Sequence, residues 1–166
     1  MKVVLAGLAV VLVISGCSRS SAFTHFTKLD SAQERAVSSL QTGSIKTDQY
    51  RKAIISTVYL NQVEPKTYTE NETFFIALYL RGGETLQLQD DDSSHAIYQL
   101  SLNGTAPLNT TAIEEGDPLR RLMPISNDWN YFYTVEFPHH DENNLTLTLE
   151  NDQFESVSLT YQKDDL

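Results

Sequence analysis

The stretch LTLTLENDQFESVSLTY, residues 145–161, decides the fold. Leu145, Leu147 and Leu149 alternate with Thr146, Thr148 and Glu150, and Val157, Leu159 and Tyr161 alternate with Ser158 and Thr160. A period of two sends successive side chains to opposite faces of a strand. Each segment therefore has one apolar and one polar face, as in an antiparallel sheet that is wet on one side. Asn151, Asp152 and their neighbours supply the turn between the two strands.

The same pattern extends upstream. In WNYFYTVEF (129–137), Trp129, Tyr131, Tyr133, Val135 and Phe137 share one face. Aromatics at this period are expected to form core; a row of them left exposed would instead suit stacking on sugar rings. AIYQLSLNG (96–104) places Tyr98, Leu100 and Leu102 together and ends on the turn signal Asn103-Gly104. ETFFIALYLRGGETLQL (72–88) reads as a hairpin about Gly82-Gly83, with Arg81 and Glu84 as a cross-strand pair. AIISTVYLNQV (53–63) is another strand, and the two prolines of PLRRLMPI (118–125) confine that segment to an edge or an irregular crossing.

Seven or eight such strands predict a mainly β fold, an antiparallel β-sandwich of immunoglobulin-like architecture, with a small barrel as runner-up. One short N-terminal helix is expected within LDSAQERAVSSLQTG (29–43). Ala32, Ala36, Val37 and Leu40 recur at helical spacing, Ser31 with Glu34 or else Asp30 caps the start, and Gly43 ends it.

The chain begins Met1-Lys2 and runs uncharged from Val3 to Ile14. About twelve residues are too few to span a bilayer, which takes roughly 20. They suit a secretory signal. The run closes on Ile14-Ser15-Gly16-Cys17, which resembles the lipobox of bacterial lipoproteins. The resemblance covers residues 1–17. It implies removal of residues 1–16, a diacylglycerol on the Cys17 sulfur and an acylated new amino terminus. Ser18, rather than aspartate, after the cysteine implies the outer membrane under the sorting rule of enteric bacteria. Lipidation of Cys17 would also account for a lone cysteine in an exported chain, where paired cysteines are usual. Residues 17–28 then form a lipidated, flexible tether reaching about 36–40 Å when extended, and residues 29–166 form one domain carrying the sandwich and its helix.

The formal net charge is −10, and −11 once Lys2 is removed with the leader. Such a chain is a poor partner for nucleic acid or a bare anionic lipid surface. Its acids cluster at Asp90–Asp92, Glu114-Glu115 with Asp117, Asp141-Glu142 and Asp164-Asp165, in segments that read as solvated loops.

No nucleophile elbow, phosphate loop, zincin motif or redox cysteine pair occurs. FPHHDENN (137–144) brings His139, His140 and Asp141 together as candidate metal ligands. Neighbours on a strand point apart, so both histidines reach one ion only from a loop, and the plainer reading is a polar hairpin turn after Pro138. DDDSSH (90–95) offers Asp90 and Asp92 as candidate calcium ligands. The sixth position is His95 and the twelfth Ser101, which excludes an EF-hand. Arg120-Arg121, a basic pair in the acidic domain, is a candidate contact for an anionic partner, with Glu114, Glu115 and Asp117 as the simpler partners. Asn71, Asn103, Asn109 and Asn144 all stand in Asn-x-Thr. Only Asn144, in Glu142-Asn143-Asn144-Leu145-Thr146, fits the acidic glycosylation pattern of some bacterial oligosaccharyltransferases.

The expectation is a non-enzymatic, membrane-anchored envelope lipoprotein at the outer membrane, its domain in the periplasm. It would act as a structural or protein-interaction module, with the membrane and an envelope protein as partners and no cofactor. A ligand-binding module, for a glycan or a divalent metal, is the competing class.

Overall fold

The computed structural model describes residues 30–46, 49–83, 85–86 and 96–163. Helix α1 (Ser31–Ser39) comes first. The strands are β1 (Gln41–Lys46), β2 (Arg51–Tyr59), β3 (Glu72–Leu80), β4 (Thr85–Leu86), β5 (Ala96–Leu102), β6 (Asn109–Ala112), β7 (Tyr131–Phe137), β8 (Asn144–Asn151) and β9 (Ser156–Gln162). A single helical turn, α2 (Leu60–Val63), follows β2, and PLRRLMPI contains a 3-10 turn, Pro118–Leu122. Among the described residues no helix is long and apolar enough to cross a membrane.

The strands form an antiparallel β-sandwich. One sheet has the order β1-β2-β3-β7-β6 and the other β4-β5-β8-β9, with the two-residue β4 alone running parallel to its neighbour β5. The quoted hairpin is β8 and β9, paired from Asn144↔Gln162 to Glu150↔Ser156. Its Leu145, Leu147, Leu149, Leu159 and Tyr161 meet Tyr98, Leu100 and Leu102 of β5. From the five-stranded sheet, Ile55, Tyr59, Phe74, Ile76, Leu78, Val135 and Phe137 close the same core. Phe74 stacks on Tyr59, ring centroids 4.9 Å apart, and meets Tyr161 edge-on at 5.3 Å.

The five-stranded sheet is not wet on its outer face along its whole length. Val58, Phe75, Ala77 and Phe132 form a second core there with Ala36 of α1, Leu60 and Val63 of α2, and Leu122 and Met123. Strand β3 is therefore apolar on both sides, which explains its unbroken run TFFIALYL.

Three expected local features come out differently. Gly82-Gly83 does not close a hairpin: β3 already has β2 and β7 on its two edges, so the chain leaves for the other sheet. Gly82 makes the corner at φ 83°, and Arg81 lies over the Tyr50 ring at 4.0 Å; Glu84, its expected partner, is outside the described residues. Second, α1 stops at Ser39 and Gly43 sits inside β1. A Cβ there would stand 2.5 Å from Val157 Cγ2, so glycine serves close approach of β1 to β9 rather than a helix end. Beside it, Gln41 Nε2 donates to the Thr160 carbonyl at 2.6 Å. The helix cap is Asp30, whose side chain accepts from Gln33 N at 2.8 Å while Gln33 Oε1 accepts from Asp30 N at 3.0 Å. Third, FPHHDENN is no hairpin turn, because β7 and β8 belong to different sheets and the segment crosses between them.

Candidate functional site

The helical cover leaves half of the outer sheet face open. Register places Ser44, Ile54 and Tyr79 side by side on that face, and Thr42 beside Ser56, their hydroxyls 2.8 Å apart. The segment 125–130 rises along one side as a wall. Asn127 Oδ1 accepts from Asn130 N at 3.0 Å, a turn closed by a side chain that holds Trp129 outward. Between floor and wall lies a groove of about 810 Å³, reached also by Arg51 at the start of β2. Trp129 is 67 % exposed and Tyr131, two positions on, 53 %. The aromatic row thus divides: Val135 and Phe137 are core, Tyr133 half-buried, and Trp129 lies outside the strand altogether. Core was the expectation for all five.

A second concavity, about 350 Å³, ends on Glu72, which is 1 % exposed at the first position of β3. One carboxylate oxygen accepts from Lys163 Nζ at 2.5 Å and from the His140 backbone N–H at 3.0 Å, with His139 Nδ1 at 3.2 Å. The other accepts from the Tyr59 hydroxyl. Burial alone would raise the Glu72 pKa, but Lys163, Tyr59 and the His140 amide more than offset it and hold the carboxyl below its usual range. Burial and the Glu72 charge push the Tyr59 phenol up. No strand pattern marks Glu72, since its partners are 13, 68 and 91 positions away.

The expected ligands are dispersed. His139 lies against Glu72 and, at 3.8 Å, Asp141, whereas His140 Nδ1 faces Glu142 at 3.3 Å. Among the described residues no group of three His, Cys, Asp or Glu is placed to hold a metal ion. Arg120 lies over the Phe132 ring at 3.2 Å instead of pairing with Glu114, Glu115 or Asp117. Arg121 is exposed, its carbonyl accepting from Gln33 Nε2 at 3.5 Å. Asn144 is exposed at the start of β8. Cys17, Asp90 and Asp92 lie outside the described residues.

No protein-family model, curated protein or solved structure matches this chain.

Proposed function

We propose that this chain is a lipid-anchored, non-enzymatic binding module of a bacterial envelope, and that its groove takes a glycan. The observation carrying the second part is the exposed Trp129 indole at the rim of a groove floored by hydroxyls and flanked by Asn127 and Asn130. Leaving a tryptophan in water forgoes hydrophobic stabilisation, and the Asn127 turn holds it there. An aromatic face beside hydroxyl and amide groups matches a sugar ring, which is apolar on its C–H faces and polar at its edge. The lipid anchor rests on Ile14–Cys17, and Ser18 supports outer-membrane placement under the enteric sorting rule, with the domain proposed to face the periplasm.

The non-enzymatic part has its own support. Glu72, the one buried carboxylate among the described residues, has both oxygens engaged by Tyr59, Lys163 and the His140 amide, which suits a structural role. A protein-interaction role through Arg120-Arg121 has less in its favour, because Arg120 packs on Phe132.

Trp129 is the sole tryptophan, so intrinsic fluorescence reports directly on the groove. Titration with envelope oligosaccharides is expected to give a saturable shift. Covering one indole face removes about 80 Å² from water, roughly a third of the side chain. At about 25 cal/mol per Å² this is about 2 kcal/mol, or roughly thirtyfold in affinity. Calorimetry on Trp129→Ala should show that loss with the thermal midpoint unchanged. A variant binding as tightly as the parent, or a parent silent to every envelope glycan, overturns the reading.

A further inference from the structure

We propose that the glycan in this groove is acidic, bearing a carboxylate that pairs with Arg51; the inference rests on the glycan reading of the same groove. The chain carries a net charge of −10, yet the groove lining among the described residues has no aspartate or glutamate and a single charged side chain, Arg51. Its electrostatic character is opposite to that of the molecule around it.

Arg51 reaches the groove through an irregularity in the sheet. Simple alternation from the buried Ala53 and Ile55 would turn Arg51 toward the core. The ladder breaks there: Ile45 pairs with Ala53, but Lys46 pairs with Arg51, leaving Lys52 as an extra residue. Such a bulge re-aims side chains. Lys52 turns to the second sheet, where its ammonium meets Glu155 Oε2 at 2.6 Å. Arg51 turns to the groove, exposed, with no carboxylate placed against it among the described residues. Several other cations are engaged within the fold, Lys163 by Glu72, Arg81 by Tyr50 and Arg120 by Phe132, while Arg121, Lys46 and Lys66 are exposed outside the groove lining. A guanidinium offers two parallel N–H donors that match a carboxylate, and it stays charged at any physiological pH. With Trp129 lining the same groove, the geometry suits a sugar ring on the indole and an acidic substituent on the fork.

The test uses Trp129 fluorescence with uronic-acid and muramic-acid oligosaccharides, each paired with the same oligosaccharide after reduction of its carboxyls to alcohols. The acidic member of a pair is expected to bind about tenfold tighter. Arg51→Gln should abolish that preference, weakening the acidic member about tenfold more than the neutral one, and Arg51→Lys should restore part of it. Trp129→Ala, read by calorimetry, should weaken both members. Equal affinity within every pair, or a preference that survives Arg51→Gln, overturns the acidic ligand and leaves the glycan reading standing. Silence of Trp129 toward acidic and neutral members alike overturns both.

Discussion

Glu72 is the residue on which the crossing segment and Lys163, just after β9, both depend. It ties β3 to Lys163, to the His140 amide and to Tyr59. Removing one partner of a buried ion pair costs about 3–5 kcal/mol, because the other is left uncompensated. Lys163 keeps some solvent contact, so Glu72→Gln is expected near the lower end, measured by urea unfolding at neutral pH. The pH dependence follows in sign. The folded-state pKa of Glu72 lies below its unfolded value, so its stabilisation is present above about pH 4.3 and is lost as pH falls through the lower folded value. Glu72→Gln should therefore flatten the acid limb of the stability profile; an unaltered limb would assign acid unfolding to other carboxylates. Tyr161 acts at the opposite end. Burial pushes its phenol up to about 12, so its contribution holds below about pH 10 and is lost as pH rises toward 12.

At the scale of elements, β1 and β9 show how closely the two sheets approach. Gly43→Val would place a side chain against Val157 and Leu159, and overpacking of this kind costs about 1–3 kcal/mol. Calorimetric melting should show the loss, and Val157→Ala in the same chain should recover part of it; additive losses would mean that the residues do not meet. How much the sequence disclosed depended on what each strand faces. β5, β8 and β9 alternate cleanly because one side packs and the other is wetter, and their core residues were legible. β3 was legible as a strand, but with both faces buried it carried no sign of its partners, and Gly82-Gly83 suggested a hairpin where the chain changes sheets. β1 and β6 went unseen, since QTGSIK holds one large apolar residue and NTTA none. The groove was half legible: the aromatic row stood out, but its period implied core, and only the Asn127 turn sets Trp129 apart from it. Arg51 was hidden by a bulge that no local pattern announces.

For the whole molecule, the expected arrangement is a folded domain carried by a lipid through residues 17–28. Two or more acyl chains anchor stably where one binds reversibly, at about 0.8 kcal/mol per buried methylene. Cys17→Ala should accordingly move the protein from the membrane pellet to the soluble fraction on cell fractionation. A variant that stays wholly with the membrane would count against the lipid anchor. Anchoring would leave the Trp129 groove untouched, so the released form should keep the glycan affinity of the parent.

The contact between β1 and β9 has a further consequence for a protein held in a plane. Confinement to a surface raises the frequency of side-by-side collisions, and strands with unpaired backbone groups are templates for fibrillar association. Here one edge strand of each sheet, β1 and β9, lies against the other, and the Gln41 amide occupies a Thr160 carbonyl that a foreign strand would otherwise recruit. β6 ends the five-stranded sheet with four residues, too short to template a long ladder. The narrow side of the sandwich formed by β1 and β9 is thus shielded by its own fold.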